Sequence, residues 1–270
     1  SVSTSGSYTI NTAASSLAIA PLSGDGYLSA AEAQQPLLIS GQTTNVTTGS
    51  TVQVTVNNVT YTGLVTGDGS WTVSVPAGAL TGVADGTLTV SATVNDATGT
   101  PVTTTAPLNV LIATQPNATV NTPFGDGVLN AADVGSDGTL TGSTGISGPG
   151  QSVSVNIGGT DYTGTVANDG SWSITIPSAV LQGLGEGDTN FTVTVTDVAG
   201  NTDNASGSVR VDTESPALLV DTLAGDGIVN LTEKGQPLEV SGTGEIGATI
   251  TVNFNGTNYT TTVGGGGSWS

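Results

Sequence analysis

Apolar and polar residues alternate along most of the chain. At 51–65 the run TVQVTVNNVTYTGLV places Val52, Val54 and Val56 on one side and threonine and glutamine on the other. WTVSVP at 71–76, WSITIP at 172–177, LTVSATVND at 88–96 and FTVTVTD at 191–197 alternate in the same way, and the first two stop at Pro76 and Pro177. A period of two is the mark of strands with one face buried and the other in water. The clusters VTGDGS, VANDGS, NDATGT and TDVAGN between these runs are rich in turn-forming residues. The pattern predicts an all-β chain of short antiparallel strands folded as sandwiches.

The pattern also repeats. Gly-Asp-Gly recurs in GDGYLSAAEA, GDGVLNAADV and GDGIVNLTEK, with Asp25, Asp126 and Asp226 spaced by 101 and 100 residues. Gly-Ser-Trp recurs at Trp71, Trp172 and Trp269, and a Ser-Gly or Thr-Gly pair ends at Gly41, Gly142 and Gly242. Markers in constant order at one period identify a tandem array. SGSYTINT at 5–12 matches SGSVRVDT at 206–213, so residues 1–11 read as the last strand of a preceding repeat. Repeat one then spans 12–113, repeat two 114–214, and repeat three, incomplete, 215–270. About seven strands per repeat is the spacing of an Ig-like antiparallel β-sandwich. The Trp that recurs in register is expected in the core of each repeat.

Composition removes several chemistries. The 270 residues include no Cys and no His, and 21 acidic residues stand against Arg210 and Lys234, for a net charge of −19. Zinc sites, histidine acid–base catalysis and thiol nucleophiles lack their residues. Phosphate binding needs Lys or Arg, so no nucleic acid partner is expected. No apolar run reaches membrane-spanning length, so no membrane insertion is expected. No activated nucleophile or base stands out, and the expectation is a protein that is not an enzyme. Calcium, which takes carboxylate and carbonyl oxygens, is the cofactor this composition suits.

The sharpest candidate for it is Asp-Gly-x-hydrophobic-x-x-x-acid, with pairs Asp25 and Glu32, Asp126 and Asp133, and Asp226 and Glu233. That spacing matches the second half of an EF-hand loop. The earlier ligand positions are Pro21 and Ser23, Thr122 and Phe124, and Thr222 and Ala224, none of them acidic, so each loop is roughly half a site. A plain reading stands beside it: Asp-Gly makes turns, and an acid after LSAAE caps a helical turn. Recurrence in all three copies, with the acidic balance, favours calcium. Candidate acids to complete the sites lie at the junctions. Between repeats two and three, VDTESPALLVD supplies Asp212, Glu214 and Asp221, and the hairpin TDVAGNTD adds Asp197, Asn201 and Asp203. Aligned positions at the earlier junction are Ala113, Gln115 and Asn121, which leaves the later junction richer in carboxylates. Asp68 and Asp169, in Asp-Gly-Ser-Trp, read as hairpin-turn residues because repeat three has Gly266 there.

GDGxLNAAE near the start of each repeat, DGSWSxTIP in the middle and TVTVTDxAGNT near the end resemble bacterial Ig-like extender domains. These belong to giant repeat adhesins of Gram-negative bacteria exported by type I secretion, such as the large Salmonella adhesin and biofilm-associated proteins. The resemblance implies a secreted, extracellular spacer at the bacterial cell surface that projects a distal adhesive domain toward a host or surface receptor. It implies neighbouring repeats of the same chain as the contacts, a monomeric rod, and Ca2+ at or near the junctions. Asp25, Glu32, Asp126, Asp133, Asp226, Glu233 and Asp212 are the positions matching its ligands. The alternative is a carbohydrate- or receptor-binding sandwich, which calls for an exposed aromatic cluster in one repeat.

Overall fold

Strand alternation decides which faces meet. The computed structural model describes residues 13–270, so the strand expected at 1–11 lies outside the described residues. In the first hundred residues the strands are β1 (Ser16–Ile19), β2 (Tyr27–Ser29), β3 (Leu37–Thr44), β4 (Thr51–Val56), β5 (Val59–Leu64), β6 (Ser70–Val75), β7 (Gly86–Asn95) and β8 (Pro101–Leu111). They form a three-stranded sheet in the order β1-β3-β6 and a five-stranded sheet in the order β2-β8-β7-β4-β5. The next hundred repeat the plan with β9 (Thr119–Val120), β10 (Val128–Asn130), β11 (Gly138–Ser143), β12 (Ser152–Ile157), β13 (Thr160–Thr165), β14 (Ser171–Ile176), β15 (Gly187–Thr196) and β16 (Thr202–Asp212). Their sheets run β9-β11-β14 and β10-β16-β15-β12-β13. A short helix, α1 (Ser178–Leu181), follows β14.

The alternating runs fill the cores as expected. Val52, Val54, Val56, Trp71, Val73, Val75, Val90, Ala92 and Val94 belong to one buried cluster. Trp172, Ile174, Ile176, Phe191, Val193 and Val195 belong to a second. Two details differ from the sequence reading. The run 51–65 is a hairpin rather than one continuous strand, turning at Asn57 and Asn58, both with positive φ (48° and 62°), the geometry of tight β-hairpin turns. The first two repeats have eight strands each rather than about seven, because the residues after Gly-Asp-Gly form an extra short strand, which in repeat one is β2 and pairs parallel with β8. A strand so short carries no alternation to read.

The Gly and Trp markers explain each other. Gly41 lies opposite Trp71, Gly142 opposite Trp172 and Gly242 opposite Trp269 in adjacent antiparallel strands. A Cβ on any of these glycines would overlap its partner indole and a carbonyl of the neighbouring strand. The ring lies across the bare backbone, which is why a strand interior, a poor place for glycine, keeps one.

The described residues fall into two compact units. The first runs to Val211 apart from 130–132 and holds the two sandwiches above. The second contains Asn130–Ala132 and Asp212–Ser270. Its strands are β17 (Leu219–Val220), β18 (Gly242–Thr243), β19 (Thr249–Phe254), β20 (Thr257–Thr262) and β21 (Ser268–Trp269). Its buried core is only Ile250, Val263 and Trp269. Among its described residues nothing matches the long β7–β8 or β15–β16 pair. Val229 is accordingly 50% exposed, where the corresponding Leu28 and Leu129 are 0% and 1% exposed.

Trp71, Trp172 and Trp269 are 1%, 3% and 4% exposed, and their indole N–H groups have no hydrogen-bond partner. Their worth is packing alone. Trp172→Ala is expected to cost about 3–5 kcal/mol, as for large-to-small core changes, while Trp172→Phe, which discards an unused N–H, costs much less. Urea unfolding of the two variants checks the contrast, and equal losses would contradict it.

Candidate functional site

The three Gly-Asp-Gly loops share one backbone path. Ser23, Phe124 and Ala224 have positive φ (52°, 52° and 53°), and the glycines after the aspartates, Gly26, Gly127 and Gly227, have φ of 89°, 86° and 84°. Left-handed backbone at the latter position is what Gly supplies at no steric cost. Asp25, Asp126 and Asp226 each accept, through Oδ1 at 2.9 Å, the N–H two residues on, from Tyr27, Val128 and Ile228. The later acid does a different job. Glu32 Oε2 accepts the Ser29 N–H at 3.0 Å and the Ser29 hydroxyl at 2.9 Å, while the Glu32 N–H donates back to Ser29 Oγ at 3.2 Å. In repeat three Glu233 Oε2 accepts the Asn230 N–H at 3.0 Å, and the Glu233 N–H donates to Asn230 Oδ1 at 3.2 Å. These are capping boxes on single 3-10 turns, Glu32–Gln34 and Glu233–Gly235.

In repeats one and three the seven-residue spacing therefore builds an Asx turn followed by a capped turn. Each loop keeps two carboxylates close in sequence, and each bonded carboxylate has a second oxygen. Beside the repeat-two loop, Asp133 and Asp137 line an open cleft of about 420 Å³. In repeat three, Glu233 and Glu239 line its counterpart of about 340 Å³. Asp137 and Glu239 were not singled out in the sequence, which offered no spacing signal for them. No group of three or more acids gathers within reach of one ion among the described residues. Calcium takes six to eight oxygens, so the loops fit part of its shell and not a complete one. Asp68 and Asp169 are turn residues as expected: their Oδ1 atoms accept the N–H groups of Ser70 (3.1 Å) and Ser171 (3.0 Å).

The grouping of Asp197 and Asn201 with Asp212 and Asp221 needs correction. Asn201 directly precedes β16 and Asp212 ends it. At about 3.3 Å per residue the two lie roughly 36 Å apart. Asn201 instead donates from Nδ2 to the carbonyl of Leu111 at 2.9 Å and accepts the N–H of Ala30 at Oδ1 at 2.9 Å, both in repeat one. The hairpin tip serves the junction before its repeat. Asp197 does not offer its oxygens there, since Oδ1 accepts the Ala199 and Asn201 N–H groups at 2.9 Å and Oδ2 the Asn201 amide at 2.8 Å.

The same junction depends on a residue the sequence reading passed over. Asp85 accepts the N–H groups of Ile112 (2.7 Å) and Ala113 (2.8 Å) at Oδ1 and of Thr114 (2.8 Å) at Oδ2. The available signal was an Asp-Gly pair just before a long strand, easily read as one more turn.

A family model described as bacterial Ig-like domain matches residues 135–213. The solved structure of a 1.5-MDa bacterial ice-binding adhesin is 31% identical over 95% of this chain and 85% of its own, with a TM-score of 0.43. The chain belongs to the bacterial Ig-like domain family. A Ca2+-stabilized adhesin that helps an Antarctic bacterium reach out and bind ice is 33% identical over 94% of these bacterial Ig-like repeats, with a TM-score of 0.45. The present chain spans 64% of that chain's length. A tetra-tandem repeat from the extending region of a large adhesion protein is 26% identical over 95% of this chain and 65% of its own, with a TM-score of 0.35. No curated protein matches. Among the described residues, no helix is long and apolar enough to cross a membrane.

Asp85 gives this site a defined pH response. Partial burial opposes its charged form, but the Thr114 hydroxyl and the N–H groups of Ala113, Ile112 and Thr114 outweigh that and lower its pKa from 3.8 to about 2. The folded value lies below the unfolded one, so the stabilisation is complete above the ordinary value and lost as pH falls through about 2. Asp85→Asn, which keeps one acceptor oxygen, is expected to cost about 1–3 kcal/mol at neutral pH and to flatten the acid limb of the stability–pH curve between those values. Denaturant unfolding from neutral to acid pH checks both; a variant as stable as the parent at neutral pH contradicts the role.

Proposed function

We propose that the chain is an extender segment of a calcium-stabilised bacterial surface adhesin, a spacer that holds a distal adhesive domain away from the cell. The observation that carries this reading is one buried pattern repeated in register. The indoles of Trp71, Trp172 and Trp269 are core residues and not a sugar-stacking platform, and the exposed Phe254 and Tyr259 of repeat three stand at positions that Ile157 and Tyr162 pack against the core in repeat two. The identity to bacterial ice-binding adhesins and to an extending region supports the same role. Its repeat boundaries are proposed at 12–113, 114–214 and 215–270. Its working contacts are neighbouring repeats of its own chain, and receptor contact falls to other domains. It acts as a secreted, extracellular monomer and not as an enzyme.

Calcium enters this reading as a weak ligand. Two carboxylates per loop, with Asp212, Glu214 and Asp221 supplied by the sequence of the second linker, suit the affinity of extracellular modules, about 10⁻⁴–10⁻³ M. Neutralising part of a net charge of −19 also offsets self-repulsion. A ligand that binds only the folded state raises the melting temperature by mass action. Millimolar calcium is expected to raise the melting temperature of the whole chain above its value in chelator, and Asp226→Ala with Glu233→Ala to remove part of the rise. Identical melts in calcium and chelator would leave an acidic spacer that works without metal.

A further inference from the structure

The first linker leaves little backbone unfixed. It runs from the end of β8 at Leu111 to the start of β9 at Thr119. Asp85 takes the N–H groups of Ile112, Ala113 and Thr114. Gln115 donates from Nε2 to the carbonyls of Ile112 (2.8 Å) and Thr114 (3.3 Å). Pro116 has no N–H to satisfy, has its φ fixed, and is buried. The Asn117 N–H donates to the Thr144 carbonyl at 2.7 Å, and the Ala118 N–H to Asp203 Oδ2 at 2.8 Å.

The tip of the β15–β16 hairpin closes the same junction from the other side. Asn201 is 5% exposed, and both amide hydrogens and the amide oxygen are engaged: Nδ2 with Leu111 O and Asp197 Oδ2, Oδ1 with the Ala30 N–H. Ala199 beside it is 3% exposed although it belongs to neither sandwich core. The oxygens best placed to bind an ion here thus already accept N–H groups. From Ile112 to Gly125 the sequence contains no Asp or Glu. Asp85, Asp197 and Asp203 do flank it, but among the described residues no group of three or more acids gathers around one point, and calcium needs six to eight oxygens.

We propose that the surface between the first and second repeats is a calcium-independent latch, with Asn201 as its positioning residue and the Asp85-held linker as its second fastening. The kind of partner the tip fits is a preceding repeat that presents a last-strand carbonyl and a turn N–H, as Leu111 and Ala30 do. The corresponding tip in repeat one has Thr100, whose N–H donates to Asp96 Oδ1 at 2.9 Å but which has no amide to reach a neighbour. Such an array has junctions of two kinds, latched by amide or supplied with acids. The idea rests on the extender reading for its purpose, but its test is separate from calcium binding elsewhere.

The chain has no native cysteine, so labels can be placed cleanly. Spin labels on Thr62→Cys and Thr163→Cys, both exposed positions on outer strands of repeats one and two, report their separation by pulsed electron resonance. The expected distance distribution is narrow in chelator and unchanged by millimolar calcium. Asn201→Ala, or Ala30→Pro, widens it about twofold or more, toward the mobility of domains without a fixed interface. Ala30→Pro removes only the N–H on the repeat-one side, so it keeps the test open should Asn201→Ala unfold the hairpin. A distribution broad in chelator, or one that neither substitution widens, overturns the latch. Calcium that fails to raise the melting temperature removes the calcium reading and leaves the latch standing.

Discussion

Backbone N–H groups that leave one β-ladder and have not yet joined the next must find acceptors, and between the first two sandwiches side chains supply them. Asp85 takes three, Asp203 takes the one at Ala118, and the Asn201 amide takes the one at Ala30 while donating to Leu111. A linker satisfied in this way has one low-energy path. A linker hydrated by water has many, and ordering it costs about 1–2 kcal/mol per residue in backbone entropy. Cysteine-free repeats cannot impose that order with disulfides, so polar side chains at the ends of long strands carry it instead. Of these, the bonds of Asn201 to Leu111 and Ala30 cross from the second repeat to the first.

The sandwiches themselves rest on a simpler pairing. An indole laid over a glycine in the adjacent strand fills the core near one end of each repeat, and the same geometry appears at Gly41 and Trp71, Gly142 and Trp172, and Gly242 and Trp269. It survives even in the second unit, whose core is otherwise only Ile250 and Val263. The pair comes from the β3–β6 side of the fold and its equivalents, so it forms without the long hairpin strands. Those strands add further burial, including Val90, Ala92 and Val94 in one repeat and Phe191, Val193 and Val195 in the next.

Much of the fold was legible in the chain because alternation and period are long-range signals. Val52, Val54 and Val56 point inward as their spacing requires, and three markers in register define the repeat. The hairpin turn at Asn57 and Asn58 was hidden inside a run that alternates on both sides of it. The candidate site was less legible, and for a different reason. The spacing of Asp25 and Glu32 is equally that of an Asx turn and a capping box, and the hydrogen bonds show both present. Asp197 and Asn201 were grouped by sequence with the wrong junction, although the length of β16 alone separates them from Asp212. Asp85 went unread because nothing in a local Asp-Gly pair reveals that its carboxylate serves Ile112, 27 residues away.

The central claim, that side-chain acceptors hold the first linker without metal, is tested most directly by amide hydrogen exchange in chelator. Exchange protection reports the free energy of opening each N–H. The amides of Ile112, Ala113, Thr114, Ala118 and Ala30 are expected to be protected together, and Asp85→Asn to release the first three while leaving the β7–β8 ladder intact. Linker amides that exchange at the rate of unstructured chain in chelator and become protected only in calcium would contradict it.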